Sequence, residues 1–334
     1  MKKVVFFLVL VLFGLWVTTD FAFAQEENLN ISVENFHEIL PVFANLFNET
    51  PKPDIGLIRW KLSNRGNELI TVSLASEIPE WTPPKITTVS VKPNQSEMVM
   101  QTPFGTRLLR NHTLVPSSLL LRAKIRERVI FEETRDIAIR AADDMVWGLK
   151  APFDSIFLIA AWVTPKDPSV ERVLSIAKDN WLLDRSLSGY QKQVMPQVKA
   201  IYNAIRNDIK VSYVNSPVTF GQPRQAQRVR LPRETISQKA ANCIDGAVLF
   251  ASLFENIGLE PLIIVGPKHA FVGVREVSGS NNVIFIETTL VGKTGFLNFD
   301  NAVTAGSERY KREQNSLRIV DIKKCREKGI YPMW

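Results

Sequence analysis

Residues 242–274 read NCIDGAVLFASLFENIGLEPLIIVGPKHAFVGV, and the stretch holds one of the chain's two cysteines and one of its three histidines. Ile244, Ala247, Val248, Ala251 and Phe254 recur at helical spacing, while Leu249, Phe250 and Leu253 make most of the remaining circumference apolar. The pattern predicts a helix in the interior, not on the surface. Asn242 is suited to the N-cap and Gly258 to the C-terminal break, which leaves Cys243 in the first turn. There the unpaired backbone N–H groups and the helix field favour a thiolate, the nucleophilic form of the side chain. A cysteine packed as a small buried hydrophobe satisfies the same pattern.

The residues that follow decide whether a base comes near. PLIIV (261–265) reads as a buried strand, GPK (266–268) as a turn, and HAFVGVREV (269–277) as a strand that opens with His269. NNVIFIETTL (281–290) returns after the polar SGSNN as the second arm of a hairpin. With antiparallel arms and a midpoint near Gly279-Ser280, Gly273 falls opposite residues 285–287, so Glu287 comes toward the His269 end of its strand. Cysteine, histidine and acid then fill the roles of nucleophile, base and orienter. Gln227, in QRVRLP, is a candidate amide donor to a developing oxyanion beside the Cys243 backbone N–H. Tyr213 and Trp162 are candidate walls of a cleft, and Asn242 and Asp245 candidate caps or loop anchors. His37 and His112 have no such company.

Outward from this stretch, the 334 residues allow one large or two ordinary domains. The opening MKKVVFFLVLVLFGLWVTTDFAFAQ has two lysines, an apolar run from Val4 to Val17, and Ala22-Phe23-Ala24 before Gln25. That is the form of a secretory signal over residues 1–24, and it implies a periplasmic or secreted product. No later run is long and apolar enough to span a bilayer. The net charge of +7 is spread among acids, and no basic groove interleaved with aromatics is legible, which argues against nucleic acid. Two widely spaced cysteines, Cys243 and Cys325, do not make a disulfide scaffold, and no paired ligand spacing points to a metal. No cofactor is expected.

GLIRWKLS (56–63), ELITVSL (68–74), KITTVSVK (85–92) and SEMVMQT (96–102) are short β-prone runs between turn signals. Residues 118–141 resemble two more strands around a polar EETRD turn. Strands at this spacing predict an all-β sandwich over residues 25–145, with a meandering barrel as the alternative. Beyond it the period changes: PSVERVLSIAKDNW (168–181) and YQKQVMPQVKAIYNAIRNDI (190–209) read as helices, with Pro196 as a break or first-turn position. The second domain is placed at 146–334, and the Pro/Gly/Gln-rich stretch 216–234 reads as a long bordering loop.

Cys243 in NCIDGAVLFASL, His269 in KHAFVGV and Glu287 in IFIETT together resemble the transglutaminase-like domain, a branch of the papain-like cysteine enzymes. The likeness covers about residues 190–295. It implies an α+β fold with a papain-like core behind a separate N-terminal all-β sandwich. The family includes cross-linkers, deamidases, peptidases and inactive relatives, and its third residue is usually Asp where this chain has Glu287. The resemblance implies thioester chemistry on a protein or peptide amide, by hydrolysis or by acyl transfer, with cell-envelope material as one substrate class. The alternative is a catalytically inactive envelope-binding or scaffold protein that keeps the fold.

Overall fold

Burial along Ile58–Asn64 alternates residue by residue, with Ile58, Trp60 and Leu62 inside and Lys61 outside, as a half-buried strand requires. The computed structural model describes residues 22–26, 28–35, 38–39, 41–42, 57–147, 154–215, 226–293 and 297–333. The first half consists of strands β1 (Ala22–Glu26), β2 (Leu29–Asn35), β3 (Glu38–Ile39), β4 (Ile58–Asn64), β5 (Ile70–Glu77), β6 (Lys85–Val91), β7 (Ser96–Gln101), β8 (Val115–Ile125) and β9 (Arg128–Ile139). They form a four-stranded sheet in the order β1-β2-β4-β7 and a five-stranded sheet in the order β3-β9-β8-β5-β6. Trp60 of the first sheet meets Phe131 of the second edge-on, with ring centroids 5.7 Å apart. The Trp60 Nε1 donates to Gln101 Oε1 at 2.9 Å, and Gln101 Nε2 reaches across to Leu74 O at 3.2 Å, so the polar ends of Trp60 and Gln101 are paired between the sheets.

Two details differ from the sequence reading. The EETRD segment is no turn: it runs inside β9, and the reversal falls at Arg126-Glu127, where Arg126 takes φ 53°. The charges stay in the strand because Glu132, Glu133 and Arg135 find partners and Asp136 is exposed. Glu132 pairs with Arg122 on the neighbouring strand at 2.9 Å, and the buried Arg135 donates to Val33 O at 3.2 Å. Strand β2 was not anticipated, although LNISVEN alternates inside and out over its whole length. Of the expected leader, only Ala22–Ala24 lie among the described residues, and they are part of β1. The rest of it, and His37, lie outside them.

After β10 (Asp144–Val146) comes a 3-10 segment, Ser155–Trp162, and then α1 (Pro168–Trp181), whose N-cap Asp167 accepts from Ser169 N at 2.9 Å. Helix α2 (Val194–Asn203) carries Pro196 in its first turn and runs on into a π-turn, Ala204–Ile209. Next are β11 (Ser212–Tyr213), β12 (Ala226–Arg228), α3 (Pro232–Gln238), β13 (Ala240–Ala241) and α4 (Cys243–Asn256). Part of the expected bordering loop is therefore β12 and α3. Strand β12 pairs with β10 and β11 with β13, the latter in parallel.

An antiparallel sheet in the order β16-β15-β14-β17 follows, built of β14 (Pro261–Val265), β15 (Ala270–Arg275), β16 (Val283–Ile286) and β17 (Arg318–Asp321). Helix α4 lies against β14 and β15 on one face. On the other face Phe271, Phe285 and Tyr310 of α5 (Phe299–Glu313) form a separate apolar cluster, with Phe285 and Tyr310 stacked at 4.0 Å. The chain closes with α6 (Ile322–Glu327), where Arg326 forks onto Glu255 at 2.9 Å and donates to Ala160 O at 2.9 Å. The fold is thus mixed α and β with several sheets, and its main buried apolar cluster is continuous from Leu29 to Met333. Among the described residues no helix is long and apolar enough to cross a membrane.

Candidate active site

The interior helix begins at Cys243. Asn242 caps it, its Oδ1 accepting from Ile244 N and Asp245 N, both at 3.0 Å. Asp245 completes the capping box by accepting from Asn242 N at 3.1 Å. Asp245 is wholly buried and is also tied to Arg230, accepting from its backbone N at 2.9 Å and from Nη1 at 2.8 Å. Burial pushes the Asp245 carboxyl upward, against the pull of the Arg230 and Asn242 backbone donors and the Arg230 guanidinium. Both flanking residues are therefore caps and loop anchors. Cys243 itself is 7% exposed, and the whole α4 run from Cys243 to Phe254 is buried.

His269 stands immediately before β15, at the close of a tight turn in which Gly266 N donates to His269 O at 2.8 Å. Strand register carries Gly273 opposite Phe285 and Val272 opposite Ile286, so Glu287 follows directly beyond the paired residues on the His269 side. Its carboxylate takes the His269 Nε2 at 3.0 Å through Oε1 and 2.8 Å through Oε2. Cys243 acts on the same ring and favours its charged form. With Nε2 turned to the acid, Nδ1 is the nitrogen left for the sulfur. Burial of the ring works against its charged form, but its interactions with Cys243 and Glu287 outweigh it and raise the His269 pKa to about 9. Glu287, 4% exposed, is shifted the other way: burial would raise its pKa, yet the His269 ring and the Thr289 donors hold it below the usual carboxylate value.

Three further residues fix Glu287 through four hydrogen bonds. Thr289 donates to Oε1 from its backbone N at 3.2 Å and its hydroxyl at 2.8 Å, as Glu287 caps the 3-10 turn Thr288–Gly292. Arg309 of α5 donates from Nε to Oε2 at 3.2 Å. The acid also donates its own backbone N to Ala302 O at 2.9 Å. No signal in the sequence picked out Thr289 or Arg309. The ETT segment at 287–289 resembles an ordinary capping sequence, and Arg309 belongs to a polar helix face.

Gln227 is 1% exposed, opposite Met145 in the β10–β12 pair, and its Oε1 accepts from Trp147 Nε1 at 2.9 Å. That bond consumes the oxygen end, so the NH2 end is the one with protons to give. The same segment is tied to the first turn of α4 through Arg230 and Asp245. Tyr213, 41% exposed, pairs with Ala241 two residues ahead of Cys243, and Cys243, Glu287 and Asp245 all act on its phenol, whose pKa rises through burial first and then through their charges. Trp162 is different: it is fully buried, donates to Val229 O at 3.1 Å and belongs to the core, not to a cleft wall. Cys325 is a second free, buried thiol, its pKa pushed up to about 11 by burial.

No protein-family model and no curated protein matches the sequence. Among solved structures, the chain is similar to a "putative protease" from Parabacteroides distasonis, at 11% identity and a TM-score of 0.24, over 84% of this chain and 70% of that one. A likeness at that level carries no weight for fold or chemistry, and the candidate site stands on the geometry of Cys243, His269 and Glu287 alone.

Proposed function

We propose that the protein is an exported cysteine enzyme acting on protein or peptide amides through a thioester, with a transglutaminase-like core at 146–334 behind a β-sandwich domain at 25–145. The observation that carries this is one imidazole bonded to a buried carboxylate and acted on by a cysteine at a helix start. A ring whose pKa stands near 9 is an imidazolium at neutral pH, which suits a thiolate–imidazolium pair.

In this reading the Cys243 Sγ attacks the amide carbonyl carbon, and the carbonyl π electrons move onto oxygen. The Cys243 backbone N–H and the Gln227 amide stabilise that oxyanion. The oxyanion collapses, the C–N bond breaks, and His269 gives its proton from Nδ1 to the departing nitrogen. A thioester and a neutral imidazole remain. His269 then takes a proton from water, or from an incoming amine, as it attacks the thioester carbonyl. The C–S bond breaks, and carboxylic acid or a new amide leaves with the thiolate–imidazolium pair restored. Glu287 keeps Nε2 protonated and the ring oriented throughout.

Alkylation by iodoacetamide at pH 6–7 tests the pair, with Cys325 as an internal buried thiol for comparison. Cys243 is expected to react first, and His269→Ala to slow it by about a hundredfold, within the range of a lost base. Modification of Cys243 no faster than Cys325, or independent of His269, would favour the inactive scaffold. Release of peptides from purified envelope material, lost in Cys243→Ser, would assign the narrower substrate class.

A further inference from the structure

Helix α5 is packed unusually closely behind the acid. A Cβ added at Gly306 would lie 2.7 Å from Phe285 C and 2.8 Å from Ile286 N, so the helix backbone almost touches the strand that leads into Glu287. One turn earlier Ala302 O accepts the Glu287 backbone N, and one turn later Arg309 reaches its carboxylate. Arg309 is itself braced: its Nη1 donates to Glu313 Oε1 at 3.1 Å, and Arg312 Nη2 holds the same oxygen at 2.9 Å. Glu313 also borders the turn that presents His269, since its Oε2 would stand 3.7 Å from a Cβ on Gly266. Charges thus alternate in sign from His269 through Glu287, Arg309 and Glu313 to Arg312.

We infer that Arg309 is a positioning residue of the site: gripping Oε2 of Glu287 from α5, it holds the carboxylate square to His269 Nε2 and so aims the opposite ring nitrogen at Cys243. The inference builds on the proposed cysteine chemistry. Thr289 secures Oε1 and Arg309 Oε2, so neither oxygen can swing off the ring while both donors remain. Glutamate has one more rotatable bond than aspartate, and a second anchor removes the freedom that the bond adds. The charged and titratable groups around Glu287 are His269, Arg309 with Glu313 behind it, Cys243 and Asp245 on α4, Tyr213 on β11, and Tyr202 on α2; Arg206 of the π-turn donates to Leu290 O and Val291 O just downstream. With Arg309 29% exposed, its charge acts through screening solvent, whereas its hydrogen bond falls directly on Oε2, so geometry is the larger effect.

The test is the titration of His269 followed by NMR on the full chain, in wild type, Arg309→Met and Arg309→Lys, together with the pH profile of Cys243 alkylation. In Arg309→Met the His269 midpoint is expected to fall by about one unit and alkylation at pH 7 to slow about tenfold. Arg309→Lys, which keeps a cationic donor, should recover part of both. An unchanged midpoint, or one that rises as it would if Arg309 acted only as a charge repelling the imidazolium, overturns the inference. Failure of the enzyme reading is distinguishable: wild-type Cys243 would then react slowly, while the NMR midpoint would still report whether Arg309 holds the acid.

Discussion

Glu287 receives the single Nε2 proton of His269 between its two carboxylate oxygens, at 3.0 and 2.8 Å, and neither oxygen is left to that bond alone. An acid held by Thr289 on one side and Arg309 on the other is a fixed acceptor, and its partner ring is correspondingly fixed in tautomer and orientation.

That pair makes stability depend on pH in a stated direction. The His269 pKa is about 9 in the folded chain against 6.5 for the free side chain, so the stabilisation is complete below 6.5 and is lost as pH rises through 9. The protonation-linked part of the difference between wild type and His269→Ala in urea unfolding should reach roughly 3 kcal/mol at pH 6, and the gap should narrow as pH rises through 9. Glu287→Gln keeps the size of the side chain, removes its charge, and should bring the His269 midpoint back toward the ordinary value.

Glu260 gives the opposite slope at the far end of the same sheet. Burial would raise its pKa, but Lys323, Ser278 and the Gly279 N–H outweigh burial and lower it to about 2 from 4.5. Its contribution is therefore present above 4.5 and lost as pH falls through 2. The stability difference between wild type and Glu260→Gln, read by urea titration, should be near its full value at pH 6 and shrink on acidification.

Gly306→Ala sets two effects against each other. Alanine in a helix gains about 1 kcal/mol over glycine, but the new methyl would sit within 2.8 Å of the β16 backbone, which has no rotamer with which to yield. Overpacking costs about 1–3 kcal/mol, so a net loss of Tm is expected in thermal unfolding, with slower Cys243 alkylation as α5 and Arg309 move off Glu287.

Gln227→Leu separates binding of the oxyanion from activation of the thiol. Alkylation of Cys243 by iodoacetamide forms no oxyanion and should persist, while amide turnover should fall by about a hundredfold, as for loss of one oxyanion donor. Trp147 Nε1 loses its acceptor in the same change, at a cost of about 1–3 kcal/mol in unfolding.

Asn242→Ala removes the acceptor for two first-turn N–H groups, and should lower stability by about 1 kcal/mol. Because Cys243 occupies that turn, its alkylation should slow as well, beyond what the drop in Tm explains.

Local chemistry made much of this chain legible in advance. Helical spacing from Ile244 to Phe254, a capping asparagine and a glycine at φ 81° define α4 and the place of Cys243 in it. Short continuous apolar runs and polar turn signals define β14 to β16 and the side of the hairpin on which Glu287 falls. Alternation was equally present in LNISVEN, but next to an apolar leader it did not stand out as a strand. The charged EETRD failed as a turn signal because its partners, Arg122 on the next strand and Val33 on the other sheet, are set by pairing and not by neighbours in the chain.

What the linear order of residues determined is which side chains can carry the chemistry and which elements present them, because caps, periodicity and turns act over a few residues. Tertiary structure alone decided that the imidazole meets the acid and comes under the influence of the sulfur, that Trp162 serves the core, and that Arg309, 22 positions beyond Glu287, grips the acid. Those contacts depend on how α4 and α5 dock on opposite faces of one sheet, a matter of packing between surfaces far apart in the chain, which no local pattern encodes.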